Sequence, residues 1–211
     1  MSVASAAIFS ARARWGDTKR IAVLFMVGSA CFALASLPAA SDLTGDAVGI
    51  TYFVGSIFFT TAAFEQLRTA RGNGFEVWAA IIQFGGTVWF NIDTFDAMSD
   101  RLESAGARAQ NLLVWTPDAV GSICFLVSSV LAALAARAEG HRARRIARLN
   151  LIGSIAFGAS AIAAYIVPDT GDLLDASLAS SGTLLGAICF FWAAALLWRS
   201  VDADPTEVQA A

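Results

Sequence analysis

The stretch FNIDTFDAMSDRLE, residues 90 to 103, holds the densest set of groups able to do chemistry in this chain. At about 100° per residue, a helix running through it would gather Asp93, Asp96, Asp100 and Glu103 within an arc of roughly 80°. Carboxylates so placed are candidate cation-binding residues for a hard ion such as Ca²⁺ or Mg²⁺, which takes oxygen ligands. Acids near a helix C-terminus also oppose its dipole, a sign that something other than helix stability keeps them there. The competing and preferred reading is a solvated acidic face.

A further carboxylate stands in WTPDAVG, residues 115 to 121. An acid inside a membrane segment is by default a functional candidate. Here, though, Thr116 as N-cap, Pro117 as first helical residue and Asp118 in the first turn spell a helix start, with the acid at the positive dipole end. The capping reading is preferred, with Trp115 as an interfacial anchor. Gln83, within an apolar run, is expected to hydrogen-bond to a neighbouring helix as structural glue. Arg142, Arg144, Arg145 and Arg148 in RARRIAR suit anionic lipid headgroups, although a topology signal alone accounts for them equally well. The single histidine, His141, has no second His or Cys near it in sequence, so no transition-metal ligand set is expected. With no HExxH motif, no triad, no phosphate loop and no paired carboxylates deep in the apolar runs, the sequence points away from an enzyme and calls for no cofactor.

The elements that must position these groups are apolar. Hydrophobic residues make up 57% of the 211 and charged residues only 15%, which places the chain in lipid rather than among soluble domains. Six apolar runs lie between charged residues: 21 to 37, 48 to 64, 77 to 92, 117 to 136, 151 to 167 and 178 to 198. Each is long enough, or nearly so, to cross a hydrocarbon core of about 30 Å as a helix. Barrel strands would alternate in polarity, and these runs are apolar on every face.

Each run carries one copy of a phrase: Gly, a small residue, two variable positions, then Phe or Trp. The copies are GSACF, GSIFF, GGTVW, GSICF, GSIAF and GAICF, starting at Gly28, Gly55, Gly85, Gly121, Gly153 and Gly186. Gly and the small residue form a notch that a neighbouring helix can approach, and the aromatic one turn on forms a knob beside it. Helix packing is preferred over a glycine-lined path. Cys31, Cys124 and Cys189 all occupy the fourth position of the phrase and read as small packers. The stretches VGSACFALASLPAASDLTGD and IGSIAFGASAIAAYIVPDTGD share the Gly-Ser, the Phe, a Pro and a closing Thr-Gly-Asp, so the first and third hairpins look like copies.

The phrases FMVGSACFALASLPA and PDAVGSICFLVSS resemble the YrhK-like domain of bacterial membrane proteins, a helix hairpin of uncharacterised role. The resemblance implies a bacterial membrane protein and brings no active-site residue with it.

Orientation follows from Lys and Arg, which favour the cytoplasmic side. Twelve of the fourteen lie before the first run, between the second and third, between the fourth and fifth, or after the last, leaving Arg101 and Arg108 opposite. A signal peptide ending near LASLPAAS is the alternative for the first run. That run is longer than the usual h-region and carries the packing phrase, so it is kept as a span.

The expectation is an all-α, polytopic bacterial inner-membrane protein. It has a cytoplasmic segment 1–20, a six-helix transmembrane domain 21–199 built as three repeated hairpins (about 21–67, 77–136 and 149–199), and a cytoplasmic tail 200–211. Its expected role is non-enzymatic, structural or partner- or lipid-binding, with a small-solute or ion channel or transporter as the alternative. Expected partners are membrane lipids and another copy of the chain or another membrane protein, and no nucleic acid.

Overall fold

The structure is a computed structural model in which residues 3–38, 45–71, 74–99 and 106–202 are described. Those residues are almost wholly helical, and a single isolated bridge, Ile166 to Leu173, stands where a strand pair would. The helices are α1 (Val3–Ala35), α2 (Gly45–Thr69), α3 (Gly74–Asp96), α4 (Ala107–Ala138), α5 (His141–Ala163) and α6 (Ala176–Asp202). Helix α4 contains a π turn at Asn111–Trp115 and closes in a 3₁₀ turn at Ala136–Ala138. Among the described residues five helices are long and apolar enough to cross a membrane: α1 from Gly16, α2, α4, α5 and α6. Helix α3 falls outside that set, because Gln83, Asn91 and Asp93 dilute its apolar residues.

The helices form a closed ring in which α1 packs on α2, α2 on α3, α3 on α4, α4 on α5, α5 on α6, and α6 back on α1. Within α1–α2, α3–α4 and α5–α6 the backbones meet glycine against glycine. A methyl group on Gly28 would stand 3.0 Å from the Gly55 carbonyl oxygen, and one on Gly55 would stand 3.1 Å from that of Gly28. The same reciprocity joins Gly86 to Gly121 at 3.2 Å each way, and Gly153 to Gly186 at 3.1 and 3.0 Å. The third copy of the phrase is therefore read one residue too early at Gly85, around which nothing lies within 4 Å. Its true register is Gly86-Thr87-Val88-Trp89-Phe90, since a single residue shifts a side chain by about 100° around the helix.

The aromatic of each phrase leans toward its own N-terminus, as helical side chains do, and so reaches back to the glycine crossing. Phe32, Phe59, Phe90, Phe125, Phe157 and Phe190 meet there, with neighbouring ring centroids from 5.1 Å (Phe90 to Phe125) to 6.4 Å (Phe32 to Phe90). The void among them is about 10 Å³, too small for a file of waters. Buried hydroxyls then tie one glycine-paired unit to the next. Ser56 Oγ lies 3.0 Å from Thr94 Oγ1 between α2 and α3, and Ser129 Oγ lies 2.7 Å from Ser154 Oγ between α4 and α5. Gln83 sits at the α3–α4 contact, where Ser128 Oγ donates to its Oε1 at 3.4 Å and to Ala79 O at 2.9 Å.

Candidate functional site

Above the phenylalanine layer, at the end of the ring where α1, α3 and α5 finish, the bundle opens into a cavity of about 470 Å³ floored by Phe32, Phe90 and Phe157. Its polar lining follows from the register of the glycine pairs. Seven residues after the first glycine and three before the second stand Asp93 and Asp118 in α3–α4, and Ser160 and Thr183 in α5–α6. At 1.5 Å per residue these positions lie about 10 Å and about 5 Å above the crossing. The longer offset is reduced because α3 and α5 side chains lean back toward the crossing, while those of α4 and α6 lean away from it. Both members of each pair thus reach one level. The α1–α2 pair supplies Ala35 and Tyr52 at the same offsets, and Tyr52, Asp93, Asp118, Ser160 and Thr183 all line the cavity.

The π turn sets the position of Asp118. Pro117 has no N–H to give and would clash inside a regular helix. Widening the turn places the Thr116 N–H on Asn111 O, five residues back, and the Thr116 hydroxyl donates to the same oxygen at 2.8 Å. The helix therefore enters from Ala107 and runs through Pro117. Asp118 does not cap a helix start, contrary to the sequence reading, and faces the cavity from within α4. Trp115 is likewise not an interfacial anchor. Its ring lines the cavity, its Nε1–H donates to Ala161 O at 2.8 Å, and Tyr165 packs on it at 5.0 Å between centroids.

The π turn also holds the roof. Residues Tyr165 to Leu174 fold into a tight hairpin, with Val167 N–H on Asp172 O at 2.8 Å, Leu174 N–H on Tyr165 O at 2.7 Å, and Gly171 at φ 75° making the reversal. Ile166 and Leu173 from this hairpin reach the cavity. Buried Asn111 grips its backbone with both ends of the amide, donating to Ile166 O at 2.7 Å and accepting from Ile166 N–H at 3.0 Å. Asp175 caps α6, its Oδ1 accepting the Leu178 N–H at 2.9 Å.

Asp93 and Asp118 both line the cavity, one from each side of the α3–α4 contact. Among the described residues neither is ion-paired. The ion pairs found lie at the opposite end of the ring, where Arg20 meets Glu65 at 2.7 Å and Asp17 at 3.3 Å, and Arg68 meets Glu65 at 3.0 Å. The Ser122 hydroxyl, one turn along from Asp118 and 2% exposed, faces that carboxylate without completing a hydrogen bond. Asp93 stands one residue beyond the third apolar run and Asp118 is the second residue of the fourth, so neither lies deep in a run, and packing of α3 on α4 brings these two acids, 25 residues apart, together at the run ends.

The helix that was to carry the acidic stripe stops short of its second half. Helix α3 ends at Asp96, so no continuous helix carries Asp93 and Asp96 on toward Asp100 and Glu103, which lie outside the described residues. Among the described residues no three carboxylates, thiols or imidazoles converge as a metal site. Arg142, Arg145 and Arg148 are exposed near the start of α5. Arg144 turns back to donate to Glu139 O at 2.7 Å and lies 3.0 Å from His141 Nδ1.

The chain matches no family model, no curated protein and no solved structure. The site is therefore defined by its own geometry. Tyr52, Asn111, Ser160 and Thr183 were missed by sequence reasoning. The signal that would have found three of them is their offset from the glycine pairs, seven residues after the first glycine or three before the second.

Proposed function

We propose that this is a six-span membrane protein, three copies of one helix hairpin, that takes up a small cationic solute from one face as a carrier or gated channel. The observation that carries the reading is the pair Asp93 and Asp118, unpaired with any described cation and facing a cavity closed beneath by six phenylalanines. Enclosed carboxylates are costly unless they take up a proton or a cation is brought to them. Packing alone gives no reason to retain two.

Helix α3 serves as the sixth span in this reading, supported by the apolar residues it turns outward: Trp78, Ile81, Val88, Trp89, Ile92 and Phe95. The arginine asymmetry argues for cytoplasmic termini in a bacterial inner membrane, with the cavity opening away from the cytoplasm. Kinship with YrhK-like hairpins would explain the three copies. The scaffold reading draws on the reciprocal glycine contacts and on exposed Arg142, Arg145 and Arg148 as headgroup ligands. Those features serve a carrier equally well.

The test is uptake of radiolabelled methylammonium and Rb⁺ into proteoliposomes. At least one should enter about ten-fold faster than into protein-free vesicles, a difference of about 1.4 kcal/mol in barrier, and Asp118→Asn should return uptake to background. Background uptake of both ions by the unaltered protein would assign it to the scaffold class.

A further inference from the structure

We infer that the ligand is an organic cation bearing several hydrogen-bond donors, a protonated amine or a guanidinium, rather than a bare metal ion or a quaternary ammonium. This rests on the cationic reading above and comes from counting hydrogens around the carboxylates. The Ser36 hydroxyl donates to Phe32 O at 2.7 Å, so in its 2.8 Å contact with Tyr52 the tyrosine is the donor. The Tyr52 oxygen then has only lone pairs left for the cavity.

On the opposite wall, Ser160 and Thr183 both reach Ala179 O, the latter at 3.0 Å, and lie 2.7 Å from each other. Their two hydrogens are consumed by those three contacts, and lone pairs remain. Thr94 gives its hydrogen to Phe90 O at 2.6 Å, and the Trp115 N–H is taken by Ala161 O. These lining groups at the level of Asp93 and Asp118 therefore accept, and the one spare hydroxyl hydrogen named beside them, that of Ser122, faces Asp118 from beneath. Lining side chains with donors to spare, such as Gln110, stand toward the mouth.

A wall dominated by acceptors at this level selects a ligand rich in donors, because a group without N–H or O–H leaves those lone pairs dehydrated and unanswered. Tetramethylammonium satisfies the charge and none of the hydroxyls. A bare divalent ion needs six or more oxygens drawn close around it, whereas about 470 Å³ is room for an organic molecule and no third carboxylate joins the pair among the described residues. The Tyr52 and Trp115 rings also line the cavity, and aromatic rings suit an ammonium or guanidinium.

The experiment is calorimetric titration of the full chain in detergent with 1,4-diaminobutane, agmatine, tetramethylammonium, Mg²⁺ and 1,4-butanediol. The diamine or agmatine should bind about ten-fold or more tightly than the other three. Asp93→Asn should weaken that binding about ten-fold, and Thr183→Val, which removes one acceptor and keeps the shape, by a few-fold. Should Asp93→Asn fail to fold, Asp118→Asn and Thr183→Val carry the test.

Tetramethylammonium or Mg²⁺ matching the diamine would overturn the donor inference and leave the cationic reading standing, as would proteoliposome uptake of Rb⁺ without methylammonium. Equal binding of butanediol would overturn the inference by showing that charge is irrelevant. No binding by any probe, together with background uptake, would overturn both.

Discussion

Gly85 and Gly86 are chemically identical neighbours with opposite consequences. A methyl group at Gly86 would fall 2.8 Å from Cys124 Cβ, whereas Gly85 has open space around it. Gly85→Ala should therefore leave the thermal midpoint unchanged or raise it, helix propensity favouring Ala by about 1 kcal/mol. Gly86→Ala should lower stability by about 1–3 kcal/mol through overpacking. Thermal unfolding of the detergent-solubilised variants checks both, and equal responses would contradict the one-residue shift in register. The tandem glycine is also why the third copy was ambiguous in sequence, since GGTVW and GTVWF both contain a glycine, a small residue and an aromatic at the right spacing. In the other five copies only one glycine fits the phrase, and there the sequence reading and the contacting glycine agree. Asp93 and Asp118 could not be paired by eye because their offsets are legible only after that ambiguity is resolved.

At the scale of elements, α4 was the segment hardest to read. Thr-Pro-Asp is a good helix start by every local rule, and a π turn that carries a proline through a continuous helix has no distinctive spelling. What decides between them is tertiary: Asn111 needs a partner, and the Ile166 backbone supplies both halves of it. Asn111→Leu would leave a buried N–H and C=O unanswered at Ile166, a cost of about 1–3 kcal/mol for each group. The expected outcome is faster hydrogen exchange across residues 165 to 174 with little change in α1 and α2, measured by mass spectrometry. Uniformly faster exchange would instead mean that the amide supports the whole ring. Helices α2, α5 and α6 were legible from the start, because long apolar runs with short polar connections leave few alternatives.

For the whole molecule, closure depends on the phenylalanine layer. Phe125 touches Phe59, Phe90 and Phe190, so Phe125→Ala should remove one sector of the floor at a cost of about 3–5 kcal/mol. Proteoliposomes carrying it should leak Rb⁺, whereas Phe125→Leu, which keeps most of the apolar volume, should stay tight. An Ala variant that folds and does not leak would show that the seal lies elsewhere. This layer also decides where a membrane voltage acts. Water in the cavity would bring the outer potential down almost to the carboxylates, leaving the drop concentrated across the thin aromatic septum rather than spread over about 30 Å of hydrocarbon. A cation arriving at Asp93 and Asp118 would then cross little of the field and bind with almost no dependence on voltage. The same cation passing the rings would traverse nearly all of it, at about 2.3 kcal/mol per charge for each 100 mV. Loading and translocation would thus be electrically distinct steps, separated by one layer of side chains.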